Sequence, residues 1–142
     1  LWDTGNFDAR NLAFKVVDPA KVTAKVLDRW SRDMTVRMCA GYVSTLAAET
    51  PFGMEKAGEW LTSKDEQQRC AGWALVGQLA LRAPTVPDAW LLERVKDIER
   101  TLQSAPNDER YAMNGALISL GSRSPALKKA ALAAAGIPVR PI

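Results

Sequence analysis

Apolar positions recur along this chain at spacings of three and four, interrupted every ten to fifteen residues or so by polar turns that carry helix-starting residues. A first helix is predicted from about Asn6 to Val17. Asp18-Pro19 fits a cap followed by proline at the first helical position, and Val22, Val26, Leu27 and Trp30 extend that helix to about Ser31. Asp33 is placed to cap a third helix with Val36, Cys39, Tyr42, Val43 and Leu46 on one face. Thr50-Pro51 restarts the pattern, and Phe52, Met54, Ala57, Trp60 and Leu61 supply a short fourth helix.

Ser63-Lys64-Asp65-Glu66 reads as a capping box, in which Ser63 and Glu66 satisfy each other's backbone donors. The helix it opens carries Cys70, Trp73, Ala74, Gly77 and Leu81, and stops before Pro84. Pro87 starts a sixth helix through Trp90, Leu91, Val95, Ile98 and Leu102. Asn107 is expected to cap a seventh that ends at Gly121. Ser124-Pro125 starts the eighth, and Gly136 with Pro138 ends it. No stretch alternates with period two, so the fold class is all-α with antiparallel neighbours.

The order of helices repeats. The segments "KVLDRWSRDMTVRMCAGYVSTLA" and "KAGEWLTSKDEQQRCAGWALVGQLA" each run from a helix ending in Trp, through a turn with Asp, to a helix carrying Cys-Ala-Gly and an aromatic. "DIERTLQSAPNDERYAMNGALISLG" follows the same plan. Helix pairs repeating every ~30 to 45 residues mark a HEAT- or armadillo-like α-solenoid, a superhelix in which each pair buries its apolar face on its neighbours. Residues 1–142 are expected to form one such domain, as a piece of a longer protein.

Cys39 and Cys70 then fall at equivalent repeat positions. Small buried spacers are the ordinary reading of such cysteines, with a disulfide or two-cysteine metal site as the alternative. Trp30, Trp60 and Trp90 read as core anchors, or alternatively as a platform for stacked bases.

Composition narrows the chemistry. The chain has no His, which removes histidine base catalysis, the Ser-His and Cys-His arrangements and most zinc sites. No metal and no cofactor is expected. Two Cys and no recognisable signal peptide suggest a reducing cytoplasm, and no apolar run reaches the ~20 residues of a membrane helix. The net charge of +3 and a pI near 9.0 are compatible with a polyanionic partner.

With "LWDTGNFDAR", "TPFGMEKAGEWL", "QQRCAGWALVGQLA" and "NGALISLGSRSPALKKAALAAAG" in this order, the chain resembles the DNA alkylation repair family, the AlkD-like HEAT-repeat proteins, across essentially its whole length. That resemblance implies a C-shaped stack whose basic concave face, lined by the second helix of each pair, holds duplex DNA. It also implies a glycosylase activity that excises cationic alkylpurines such as 3-methyladenine and 7-methylguanine. Aromatic side chains and one Asp would stand beside the deoxyribose, and an Arg would hold the backbone.

Carried over residue by residue, the family's concave-face Arg falls at Arg69; a first-turn Arg paired with Asp65 is the plainer alternative. The catalytic aromatic falls at Val36, the catalytic Asp at Ala40 and a second aromatic at Gly115, none of which can do that chemistry. Arg37, Lys64, Arg110 and Arg123 join Arg69 as candidate backbone contacts, with Arg37, Gln68 and Arg110 at similar repeat positions. Lys15, Lys56, Lys128 and Lys129 read as solvated.

Three functional expectations follow: a duplex-DNA binder with substituted catalytic positions, a glycosylase that works through other groups, or a HEAT-type scaffold for protein partners.

Overall fold

The computed structural model describes residues 2–33 and 37–136, with the backbone alone at 37–40. Eight α-helices occupy them: α1 (Phe7–Val16), α2 (Ala24–Asp33), α3 (Arg37–Ala48), α4 (Gly53–Leu61), α5 (Glu66–Arg82), α6 (Asp88–Thr101), α7 (Asn107–Gly121) and α8 (Pro125–Ala134). No strand occurs among the described residues.

Several boundaries differ from the sequence expectation, each for a local reason. The Asp18 carboxylate accepts from Ala20 N at 3.0 Å and closes only one 3-10 turn, Pro19–Lys21. Val22 is extended, and Thr23 caps α2 through Oγ1, which accepts from Val26 N at 3.2 Å. Asp33 is the last residue of α2, and its carboxylate accepts from Trp2 Nε1 at 2.8 Å; the turn it was expected to cap lies outside the described residues. The N-cap of α5 is Asp65, not Ser63: Asp65 accepts from Gln68 N at 3.0 Å, while Ser63 Oγ accepts from Asp65 N at 3.1 Å. Asn107 is the first residue of α7, and Pro106 precedes it without a side-chain cap. Ser124 caps α8 as its sequence indicates, accepting from Leu127 N.

The helices form two layers. Helices α3, α5 and α7 lie side by side as an inner layer, with α4 packed on α5, and α8 on both α6 and α7. The inner helices run parallel. Arg69 meets Glu109 at the N-terminal ends of α5 and α7, and Arg82 meets Glu49 at the C-terminal ends of α5 and α3. Helix α5 is central, with most of its residues buried. Leu27, Val43, Trp60, Leu75, Val76, Leu91, Ile98, Met113, Leu120 and Leu127 form one continuous core, each side chain removing roughly 1.5–3 kcal/mol of apolar exposure.

Close approach between helices is set by glycine rather than cysteine. A Cβ on Gly72 would stand 3.1 Å from Leu61 N and 3.2 Å from Trp60 Cβ, and one on Gly77 would stand 3.2 Å from Ser119 Oγ. The third residue of the Cys-Ala-Gly stretch in α5 is therefore the spacer against α4. Cys70 is buried, and burial, with the charges of Glu66, Glu109 and Asp108, pushes its thiol up to about 12. Its repeat counterpart, Cys39, has its side chain outside the described residues.

Lys56 corrects the reading of solvated lysines. It is only 5% exposed, and its ammonium donates to Asp28 Oδ2 at 2.9 Å and Glu59 Oε2 at 2.7 Å. Trp60 Nε1 donates to the other Asp28 oxygen at 2.8 Å. Burial alone would lower the Lys56 pKa, but hydrogen bonds to Glu59 and Asp28 and their charges outweigh it and hold it above the ordinary value. Lys15, Lys128 and Lys129 are exposed as expected. Trp60 is fully buried and Trp30 stacks on Trp2 at 4.4 Å, so these tryptophans pack the fold together.

Candidate nucleic-acid interface

The inner layer encloses a groove of about 320 Å³, lined from α3 by Gly41 and Ser44, from α5 by Cys70, Ala74, Gly77 and Gln78, and from α7 by Asp108, Tyr111, Ala112, Gly115, Ala116 and Ser119. Small residues dominate it because positions 70, 74 and 77 of α5, and 108, 112, 115 and 119 of α7, fall on one helical face. Cβ atoms built on Gly41 and Gly115 meet nothing within 4 Å. Open space thus exists at Gly115, where the resemblance places an aromatic. Val36 lies outside the described residues, as do the side chains of Arg37 and Ala40.

No Lys or Arg is among the described residues lining this groove, and one carboxylate, Asp108, is. Sequence reasoning passed over Asp108 and Tyr111, the carboxylate and aromatic that do share the groove. Their signal was spacing, since Tyr111 stands three residues after Asp108 and four before Gly115, on one face of α7. Tyr111 is 61% exposed.

The candidate cations divide between the two edges of the layer. At the N-terminal edge, Lys64 is exposed in the turn before α5, and Arg110 is exposed at the start of α7. Among the described residues Arg110 spends Nη2 alone, which donates to Ala105 O at 3.0 Å and Gln103 O at 3.4 Å. Arg69 belongs to the same edge but turns between helices. Its Nε donates to both Glu109 oxygens at 3.1 and 3.0 Å, and its Nη1 to Ser63 O at 2.9 Å. Asp65, the simple partner suggested by sequence, is engaged as the N-cap instead. Gln68 is buried, not part of an exposed ladder; its Nε2 donates to Ser31 Oγ at 2.9 Å. Gln68 in α5 and Glu109 in α7 occupy the third helical position of their helices, and each ties its helix to the preceding pair.

Arg123, at the opposite edge, has every guanidinium nitrogen engaged. Nε donates to Asp88 Oδ1 at 2.8 Å, Nη1 to Leu79, Ala80 and Ala83 carbonyls, and Nη2 to the Pro84 and Val86 carbonyls. These include the carbonyls left over at the end of α5, so Arg123 serves as a C-terminal cap delivered from the α7–α8 turn. It is a structural clip rather than an outward-facing phosphate contact. The hydrogen bond from Arg123 holds the Asp88 carboxyl below its ordinary value.

Among the described residues, no group of His, Cys, Asp and Glu could hold a metal ion, and no helix is long and apolar enough to cross a membrane. Parallel inner helices backed by an outer layer, with a groove on the inner face, define an α-solenoid of HEAT-like pairs. A family model described as DNA alkylation repair enzyme matches residues 1–139, and the chain belongs to that family. It is 28% identical over 138 residues to the uncharacterized protein Lin0241 of Listeria innocua serovar 6a, a match that covers 95% of this chain and 59% of that protein. It is 26% identical over 138 residues to the uncharacterized protein Lmo0209 of Listeria monocytogenes serovar 1/2a, with the same coverage. A solved structure, described as a new family of proteins related to the HEAT-like repeat DNA glycosylases with affinity for branched DNA structures, matches with a TM-score of 0.88. Identity there is 24%, over 99% of this chain and 63% of that one, and the likeness establishes the fold. The chain spans about three fifths of the length of these relatives.

Proposed function

We propose that this chain binds DNA through its sugar-phosphate backbone, and that it does not excise alkylated bases with the residues its family ordinarily uses. The observation that carries this reading is the open, small-residue groove at Gly115 in a chain of this family, with Lys64 and Arg110 exposed at the N-terminal edge of the inner layer. Excision needs groups that stabilise charge developing on the sugar, and such groups act only from within contact distance. Val36, Ala40 and Gly115, at the corresponding positions, supply none. Lys64 and Arg110, exposed beside the N-terminal ends of α5 and α7, are suited to phosphate contacts that position a duplex without reading its sequence. The affinity for branched DNA described for the structural neighbour makes a four-way junction the informative second ligand.

The test is a paired assay on the chain. Labelled duplex and junction are titrated at low salt, and a duplex carrying 7-methylguanine is incubated with excess protein. Binding without release of free base is expected. Release of free base at a rate above the spontaneous one contradicts the loss of excision, and absence of binding to either DNA contradicts the whole reading.

One observation favours a second reading, a scaffold for a protein partner. The groove is lined mostly by small, uncharged residues, with Tyr111 and Ile118 exposed on the helix that forms one of its walls. Failure of both DNAs to bind at low salt would transfer support to it.

A further inference from the structure

Tyr111, Gly115 and Ile118 follow one another along α7 at spacings of four and three, so they share one stripe of that helix, and all three are exposed. Among the described residues of the inner layer, Tyr111 at 61% and Ile118 at 73% are the most exposed large hydrophobic side chains. Gly115 between them has no side chain, and a Cβ built on it meets nothing within 4 Å. The stripe is therefore a notch, with an aromatic ring on one side and a branched aliphatic chain on the other. Seven residues separate the two, roughly 10 Å along the helix axis at ~1.5 Å per residue, and a planar ring touching a group on each face needs roughly 7 Å. One ring fits.

The notch opens on the groove of about 320 Å³, which Tyr111 and Gly115 help to line. Gly41 of α3 stands on the far wall, where a Cβ also meets nothing within 4 Å, and Cys70, Ala74 and Gly77 of α5 form the floor between. Gln78 and Ser119, both partly exposed, add polar groups to the lining. An occupant matched to this space is planar, uncharged, apolar on its faces and polar at its edge. An aliphatic chain would set apolar surface against Gln78 and Ser119, and a free anion gains little from a lining that is mostly small and uncharged. A nucleobase has all four properties. It also comes attached to a phosphate backbone, which Lys64 and Arg110, exposed at the N-terminal edge of the same layer, are suited to hold. Uncharged groove and cationic edge thus match the two parts of a nucleotide. In an intact duplex both faces of a base are covered by its neighbours, so only a base out of the stack can enter.

We infer that the Tyr111–Gly115–Ile118 notch receives one unstacked nucleobase, at a bulge or a gap, with its ring on Tyr111. This inference rests on the DNA reading proposed above, and adds to it a preference for DNA in which a base has left the stack.

Anisotropy titrations at low salt compare three ligands of one sequence: the intact duplex, the duplex with a single bulged nucleotide, and the duplex with an abasic residue in the bulge, which keeps the backbone and removes the base. The parent chain is expected to bind the bulged nucleotide about tenfold more tightly than either of the others, the scale of one base stacked on an aromatic ring. Gly115→Leu, which fills the notch from a position with open space around it, and Tyr111→Ala are each expected to bring that ratio to about one, whereas Tyr111→Phe keeps it; circular dichroism checks that each variant stays helical. A ratio near one in the parent, with duplex still bound, overturns this inference and leaves the DNA reading standing. A preference that persists with the abasic bulge, or in Gly115→Leu, also overturns it, because the shape of the backbone rather than the base is then being read. Absence of binding to all three ligands overturns both readings together.

Discussion

The two edges of the inner layer use the same residue type in opposite ways. At the C-terminal edge, Arg123 points inward and gives every nitrogen to the end of α5, the following loop and Asp88. At the N-terminal edge, Lys64 and Arg110 stand exposed, and Arg69 is divided between a buried carboxylate and a turn carbonyl. A basic residue beside a groove is therefore no measure of function until its donors are followed. Where every guanidinium nitrogen ends on a protein acceptor, as at Arg123, the residue holds the fold; where the head group stays exposed with nitrogens to spare, as at Arg110, it is available to a polyanion.

Removing Arg123 should separate these roles most sharply. Arg123→Ala strips the acceptors at the end of α5 of their partner and is expected to destabilise the fold by about 4 kcal/mol, as unsatisfied buried groups accumulate. Denaturant unfolding measures the loss, and the affinity of the remaining folded protein for duplex should stay unchanged. Its partner is titratable. Because the folded Asp88 pKa is lowered, the stability from this pair is present above the ordinary carboxylate pKa and is lost as pH falls through the folded value. Stability is expected to drop below pH ~4, with a shallower drop in Asp88→Asn, measured by denaturant midpoints across pH.

Glu109→Ala probes the intermediate case. It leaves Arg69 without its carboxylate at a site where that arginine is 22% exposed, so a cost of about 3 kcal/mol is expected, the low end for a broken buried pair. The same variant frees Nε of Arg69, and duplex affinity should rise rather than fall if this edge meets phosphate.

The glycines give a smaller contrast inside the groove. Gly115→Ala is expected to stabilise α7 by about 0.5–1 kcal/mol, because the new methyl enters open space and helix propensity improves. Gly77→Ala gains the same propensity but presses on Ser119, so it should be neutral or destabilising. Thermal midpoints of the two variants measured side by side check the difference. Smallest of all is the expected reactivity of Cys70. With its thiol pushed up to about 12 and the residue buried, peptide-resolved alkylation at pH 8 should leave it unmodified in the folded chain and label it only after unfolding.

Much of this fold was legible in the sequence, because eight apolar stripes at helical spacing and the recurrent Cys-Ala-Gly unit report burial and repeat directly. The caps were less so. Ser63 and Asp65 are both competent caps two residues apart, and only the course of the chain selects Asp65. Lys56 was readable in retrospect: it lies on the same helical stripe as Gly53, Ala57 and Trp60, the buried face of α4. The Arg123 clip had no local signal, since its acceptors sit in the preceding pair and become neighbours only when α7 packs on α5. Long-range convergence, not residue type, made this site.

The most direct test of the edge comparison is the salt dependence of duplex binding, measured by fluorescence anisotropy between about 50 and 200 mM salt for the parent chain and for the double variant Lys64→Ala, Arg110→Ala. Outward-facing cations at the N-terminal edge require a steep fall of affinity with salt in the parent, and a log–log slope smaller in magnitude by about 2 in the variant. A slope unchanged by the double substitution, or the absence of duplex binding at the low-salt end, would contradict the assignment of that edge to DNA.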